Sequence, residues 1–143
     1  MNFQNILVVC IGNICRSPMA EALLKQSYPD RNVFSAGLEA LVGHTADPMA
    51  IECMNEVGVD INTHVARLLD RDMLIEADIV FAMSNEQVRA IEERWSFSKG
   101  KVFKLCHWSR NSIPDPYRKG KPEFLLAKSL IEKGVSDWRP YLN

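Results

Sequence analysis

Cys10 and Arg16 stand six positions apart, with Gly12 and Asn13 between them and Ser17 and Pro18 directly after. The stretch Val9-Cys10-Ile11-Gly12-Asn13-Ile14-Cys15-Arg16-Ser17-Pro18 reads as a thiol at the end of a strand, a short loop and a helix start. Backbone N–H groups of such a loop and of the first helical turn can converge on an anion, and the helix dipole adds partial positive charge at the same point. Gly12 offers backbone geometry closed to other residues, and Asn13 tolerates a left-handed conformation. Arg16 can set its planar fork on two oxygens of a phosphate, which a lysine cannot match. The same field, helped by the Ser17 hydroxyl, favours the thiolate of Cys10, the form that attacks phosphorus. Chance would put a Cys six residues before an Arg-Ser or Arg-Thr pair only about 0.02 times in such a chain, so an inert buried cysteine is the weaker reading. A nucleotide-binding loop is excluded, because G-x4-G-K-[ST] is absent.

These residues need a strand to end at Cys10 and a helix to begin beside Arg16. The β-branched run Ile6 to Cys10 predicts a strand buried on both faces. Ser17 and Pro18 predict an N-cap and first helical position, with Ala20, Leu23 and Leu24 on the buried face of a helix reaching about Ser27. Further strands are predicted at Asn32 to Ser35, Asp78 to Met83 and Val102 to Leu105. Further helices are predicted after Asp47-Pro48 with a stop at Gly58, from Asp70, after the capping pattern Ser84 to Gln87, and around Phe124, Ala127 and Ile131. Alternating strands and helices predict an α/β fold with a parallel sheet, whose sites gather at the carboxyl ends of the strands. Cys10, Ser35, Ser84 and the long polar loop from His107 to Gly120 would all lie there.

The 143 residues carry 17 basic and 18 acidic side chains, a net charge of -1 and four cysteines. This suits one domain over 1–143 with a core that needs no disulfides. A net charge near zero argues against nucleic acid as the partner. The longest apolar run, Ile6 to Ile11, is too short to insert in a membrane, and residues 1 to 5 lack the positive start of a signal peptide. A cytoplasmic location is expected, with the cysteines as thiols. Residues 101 to 143 hold nine Lys and Arg against four Asp and Glu, whereas residues 1 to 100 hold eight against fourteen.

The loop motif, together with Ile113-Pro114-Asp115-Pro116-Tyr117 far downstream, closely resembles the low-molecular-weight protein tyrosine phosphatases of bacterial type. Ser35-Ala36-Gly37, His64-Val65-Ala66-Arg67 and Ala77-Asp78-Ile79-Val80 extend the likeness over essentially the whole chain. The resemblance implies a single-domain three-layer sandwich, a four-stranded parallel sheet in the order 2-1-3-4 flanked by about five helices, with the phosphate loop between the first strand and first helix. It implies that Cys10 attacks the phosphorus of an aryl phosphate while Arg16 and the loop amides of Ile11, Gly12, Asn13, Ile14 and Cys15 hold its oxygens. Asp115 then serves as general acid and afterwards as base, and Ser17 steadies the thiolate. Asn13, Ser35 and His64 brace the loop, and Ile14, Leu41, Tyr117 and Arg118 line the substrate cleft. Cys15 would capture an oxidised Cys10 as a disulfide. Neither a cofactor nor a metal is implied, and Cys53 and Cys106 read as packing thiols.

The partner implied is a tyrosine-phosphorylated protein, an autokinase linked to capsule or exopolysaccharide export, met by a monomer or weak homodimer. Leu41 stands near one place, and Arg118 at another, where some relatives carry aromatics, which predicts a less aromatic, more basic cleft. Two alternatives share the fold: a thiol-dependent arsenate reductase, which needs two more cysteines close together, and a catalytically silent phosphotyrosine-binding module.

Overall fold

The computed structural model describes residues 3–142; Met1 and Asn2, part of the segment read for a leader, lie outside the described residues. Four strands, β1 (Asn5–Cys10), β2 (Asn32–Gly37), β3 (Ile79–Ala82) and β4 (Val102–Lys104), form one sheet in the order β2-β1-β3-β4. Every pairing is parallel, so each connection crosses a face of the sheet. The crossings carry α1 (Arg16–Ser27), α2 (Pro48–Asn55), α3 (Arg71–Glu76) and α4 (Asn85–Arg94), and α5 (Lys121–Asp137) and α6 (Arg139–Leu142) close the chain. The expectation of about five helices omitted the four-residue α6, which is too short to show a period.

Alternation along the central strand sorts the core into two layers. Ile6, Val8 and Cys10 face α1, α2 and α5, packing with Leu24, Met54, Phe124 and Ile131. Leu7 and Val9 face α3 and α4, packing with Leu74 and Ile91. Each fully buried aliphatic side chain contributes about 1.5–3 kcal/mol relative to exposure, and Ile6, Leu7, Val8 and Val9 are all inaccessible. This rigid β1 fixes where Cys10 stands.

Three of the expected caps form. Asp47 accepts from the Met49 N–H at 2.9 Å, Asp70 from the Met73 N–H at 2.9 Å, and Ser84 from the Gln87 N–H at 3.3 Å, each worth about 1 kcal/mol. Gln87 reaches back and accepts from the Met83 N–H at 2.9 Å, one residue earlier than a capping box requires. The cap expected at Ser17 does not form. α1 begins at Arg16, with Cys15 at the cap position and no side-chain cap bond, because the Ser17 hydroxyl is engaged elsewhere. Strand β2 runs two residues past the expected end, to Gly37, which pairs with Cys10. A Cβ at Gly37 would collide with the Ile11 carbonyl, so only glycine lets β2 lie this close to the loop. Among the described residues, no helix is long and apolar enough to cross a membrane.

Candidate active site

The loop between β1 and α1 turns its carbonyls outward. Cys10 O accepts from the Leu38 N–H at 2.9 Å, Ile11 O from Glu39 at 3.0 Å, Gly12 O from Leu41 at 3.1 Å and Ile14 O from Asp47 at 2.8 Å. Asn13 O lies 2.6 Å from His64 Nε2. In a trans peptide the N–H points opposite to the C=O. Five consecutive outward carbonyls therefore aim the N–H groups of residues 11 to 15 inward, above the Cys10 sulfur. The first turn of α1 carries no acidic residue, so its positive end is also open to an anion.

Asn13 holds the loop from behind, fully buried and left-handed at φ 58°. Its Nδ2 donates to Ser17 Oγ at 2.7 Å and to Ser35 Oγ at 3.0 Å, and its Oδ1 accepts from the Arg67 N–H at 3.0 Å. Ser17 Oγ lies 2.9 Å from Cys10 Sγ, which is where the hydroxyl expected to cap α1 has gone. Gly12 departs from expectation too. It is absent from the positive-φ glycines, and a Cβ there would meet nothing closer than Ile14 Cγ1 at 3.6 Å. The special geometry of the loop rests on Asn13.

Arg16 comes from α1 yet is only 4% exposed. Its Nη1 donates to Ile113 O at 2.8 Å, and its Nη2 stands 3.7 Å from Asp115 Oδ2. Asp115 accepts from the Tyr117 N–H at 3.1 Å through Oδ1, an Asx turn that leaves Oδ2 toward Arg16. The carboxyl is half exposed. Cys10, Arg16 and Asp115 share a cleft of about 160 Å³ whose walls include Ile14, Leu41 and Tyr117. A thiol floor, inward amides, an anchored arginine, a carboxyl at the mouth and apolar sides suit a phosphate borne on a ring.

The family model for low molecular weight phosphotyrosine protein phosphatase matches residues 5–143. The chain belongs to that family. The low molecular weight protein-tyrosine-phosphatase Ptp of Acinetobacter johnsonii is 47% identical over 142 residues, 99% of this chain and 100% of that protein. Among solved structures, the 1.57 Å crystal structure of Erwinia amylovora tyrosine phosphatase AmsI superposes with a TM-score of 0.94 at 38% identity, covering 99% of this chain and 94% of that one. Vibrio vulnificus Wzb in complex with benzylphosphonate matches with a TM-score of 0.94 at 35% identity over 97% of this chain and 99% of its own.

Most residues expected in a phosphatase site of this family converge here, and two sit differently. Arg118 is not among the residues lining the cleft; its guanidinium lies over the Tyr117 ring, 5.0 Å from the centroid. Cys15 lines the cleft but also belongs to the core, and burial pushes its thiol well above the ordinary range, with the Asp47 charge adding to the effect. Cys53 and Cys106 are buried, the latter donating to Leu130 O at 3.2 Å.

Four participants escaped sequence reading. Ile113 contributes a backbone carbonyl and Arg67 a backbone N–H as well as its Nε, which donates to Ser35 O at 3.0 Å; backbone groups are not revealed by side-chain patterns. Glu39 stands at the cleft wall two residues after Gly37, close enough to a recognised segment to have been suspected. Glu21 reads as an ordinary outward residue of α1, yet its Oε1 accepts from Ser35 Oγ at 2.5 Å.

Proposed function

We propose that this phosphatase hydrolyses phosphotyrosine in proteins through a phosphocysteine intermediate, and that its substrate is a tyrosine autokinase of capsule or exopolysaccharide export in the cytoplasm. The observation that carries the chemistry is the set of five outward carbonyls, which turns the amides over the Cys10 sulfur. Cys10 as thiolate attacks phosphorus in line with the phenolic oxygen, while the amides and Arg16 hold the equatorial oxygens. Substrate phosphate meets the Arg16 guanidinium beside Asp115, which carries a proton in the enzyme-substrate complex. Asp115 gives that proton to the departing phenolate. It then accepts a proton from the water that attacks the phosphocysteine, releasing phosphate and restoring the thiolate. Ile14, Leu41 and Tyr117 grip the ring, and Asn13, Ser35 and His64 keep the loop in shape.

Turnover of p-nitrophenyl phosphate and a phosphotyrosyl peptide by wild type, Cys10→Ser and Asp115→Ala tests the chemistry. The expected result is phosphate release by wild type, loss of turnover in Cys10→Ser, and a cysteine-bound phosphate trapped on acid quench. Absence of phosphate release by wild type, or full activity in Cys10→Ser, overturns it. Dephosphorylation of a purified autokinase from the same cell, against an unrelated phosphotyrosyl protein, tests the substrate. Equal rates on both would remove the autokinase assignment.

A further inference from the structure

Two hollows lead away from the catalytic cleft. The first, about 660 Å³, shares Arg16, Glu39 and Asp115 with it and extends to Ser84 and Ser112. The second, about 490 Å³, begins one residue beyond, at Asn85, and is walled by Lys104, His107, Trp108 and Arg110. A polypeptide with one residue in the cleft can therefore run over the start of α4 into this second hollow. The charges along that route differ. The first hollow mixes the carboxylates Glu39, Glu86 and Asp115 with the cations Arg16 and Arg94. No carboxylate lines the second, and Lys104 and Arg110 form no ion pair among the described residues. Trp108 is 43% exposed yet held in place, stacked on Tyr141 at 4.1 Å and 11°.

We propose that this second hollow binds another phosphotyrosine of the same substrate chain, the cations taking its phosphate and Trp108 its ring. This rests on the phosphotyrosine reading above and narrows it to segments with clustered phosphotyrosines. A carboxylate side chain would engage the cations without using Trp108. The test compares synthetic peptides carrying one phosphotyrosine, two at varied spacing, or one phosphotyrosine with glutamate at the second place. Wild type is set against a Lys104→Gln, Arg110→Asn double variant. Asparagine suits Arg110 because its backbone is left-handed at φ 58°.

At the matching spacing, the doubly phosphorylated peptide should gain about tenfold in kcat/KM, carried by KM, as expected for charge-assisted hydrogen bonds. The double variant should lose that gain and keep its rate on p-nitrophenyl phosphate. An undiminished gain in the double variant, no gain at any spacing, or an equal gain from glutamate overturns the proposal. Absence of turnover on every substrate would instead overturn the catalytic reading.

The hydrogen bonds behind the loop carry a second, independent inference. Glu21 Oε1 can only accept, so the Ser35 hydroxyl donates to it and must accept from Asn13. The Arg67 N–H fixes the other end of the Asn13 amide, so Nδ2 also faces Ser17. With its oxygen accepting from Asn13, Ser17 has its own hydrogen free for Cys10 Sγ. We infer that Glu21, tethered by Lys25 at 2.7 Å, is a positioning residue that holds the Ser35 hydroxyl as an acceptor for Asn13 and so, with the Arg67 N–H, keeps this direction, an assignment that takes Cys10 as the nucleophile. Glu21→Leu should lower kcat several-fold with KM little changed and move the pH profile of Cys10 alkylation by iodoacetamide upward. Glu21→Gln, whose amide oxygen still accepts, should restore both. An unmoved alkylation profile in Glu21→Leu, or a shift of equal size in Glu21→Gln, overturns it.

Discussion

At the scale of single residues, the proposed acid and the second cysteine of the loop make separable predictions. A proton from Asp115 matters most when the leaving phenolate is a strong base. Asp115→Asn should cost about 10²–10³ in kcat on a phosphotyrosyl peptide and less on p-nitrophenyl phosphate, whose phenolate departs unaided more readily; equal losses would count against proton donation. Cys15 lies in the same cleft wall as Cys10 but is held as a neutral thiol by burial. Mild peroxide should convert the Cys10 thiolate to a sulfenic acid, and attack by Cys15 should then form the disulfide with loss of water. That attack needs the Cys15 thiolate, so recovery of activity by a dithiol after peroxide should improve as pH rises. Cys15→Ser should recover less than wild type at every pH; equal recovery would show that Cys15 does not protect the nucleophile.

The elements set the spacing that those residues depend on. Gly37 ends β2 against the Ile11 carbonyl, and Leu38 and Glu39, just beyond it, donate to Cys10 O and Ile11 O. A methyl group at Gly37 must push either the strand or the loop. Gly37→Ala should lose about 1–3 kcal/mol of stability, the usual cost of overpacking. It should lose activity as well, because displacing the Ile11 carbonyl tilts the Gly12 N–H. Urea denaturation and kcat on p-nitrophenyl phosphate check the two parts; a variant with unchanged stability and full activity would refute the account of the close approach. Helix α1 supplies Arg16 and Ser17 in its first turn and Glu21 and Lys25 in its next two, so one rigid element carries both the arginine beside Asp115 and the hydrogen bonds behind the loop.

Across the whole molecule, burial acts on several thiols together. Cys15, Cys53 and Cys106 all have their ionisation pushed above the ordinary thiol value of 9.0, each chiefly by burial. A raised value in the folded state means that the unfolded chain releases these protons first. Their contribution is thus fully present below about pH 8.5–9 and is lost as pH climbs past it. The urea midpoint should be flat with respect to these groups at neutral pH and fall above pH 9. Replacing Cys53 by alanine should shallow that fall, and an unchanged slope would place its origin elsewhere. Charge is also divided over the molecule. The basic final third holds Lys104 and Arg110 in the second hollow, without ion pairs among the described residues, while Lys121 is tied to Glu52 at 3.0 Å and to Glu56 at 2.5 Å, so net charge alone did not reveal which cations were unpaired.

Periodicity and chemistry settled much of this from sequence. A short β-branched run bounded by a glycine loop suits a strand buried on both faces of a parallel sheet, and Cys10, Arg16 and the loop between them have few other uses, so strand, loop and helix were legible together. The caps at Asp47, Asp70 and Ser84 were legible because their bonds join residues two or three apart. What depended on contacts distant in sequence was not. Ser17 had a local role as a cap and a distant one beside Cys10 and Asn13, and only tertiary structure decided between them. The 97-residue separation between Arg16 and Ile113 O, the brace through Glu21, and the withdrawal of Arg118 onto Tyr117 arise from packing of whole elements. Local patterns record the energetics of a few adjacent residues; the direction of a side chain depends on what the rest of the fold brings to it.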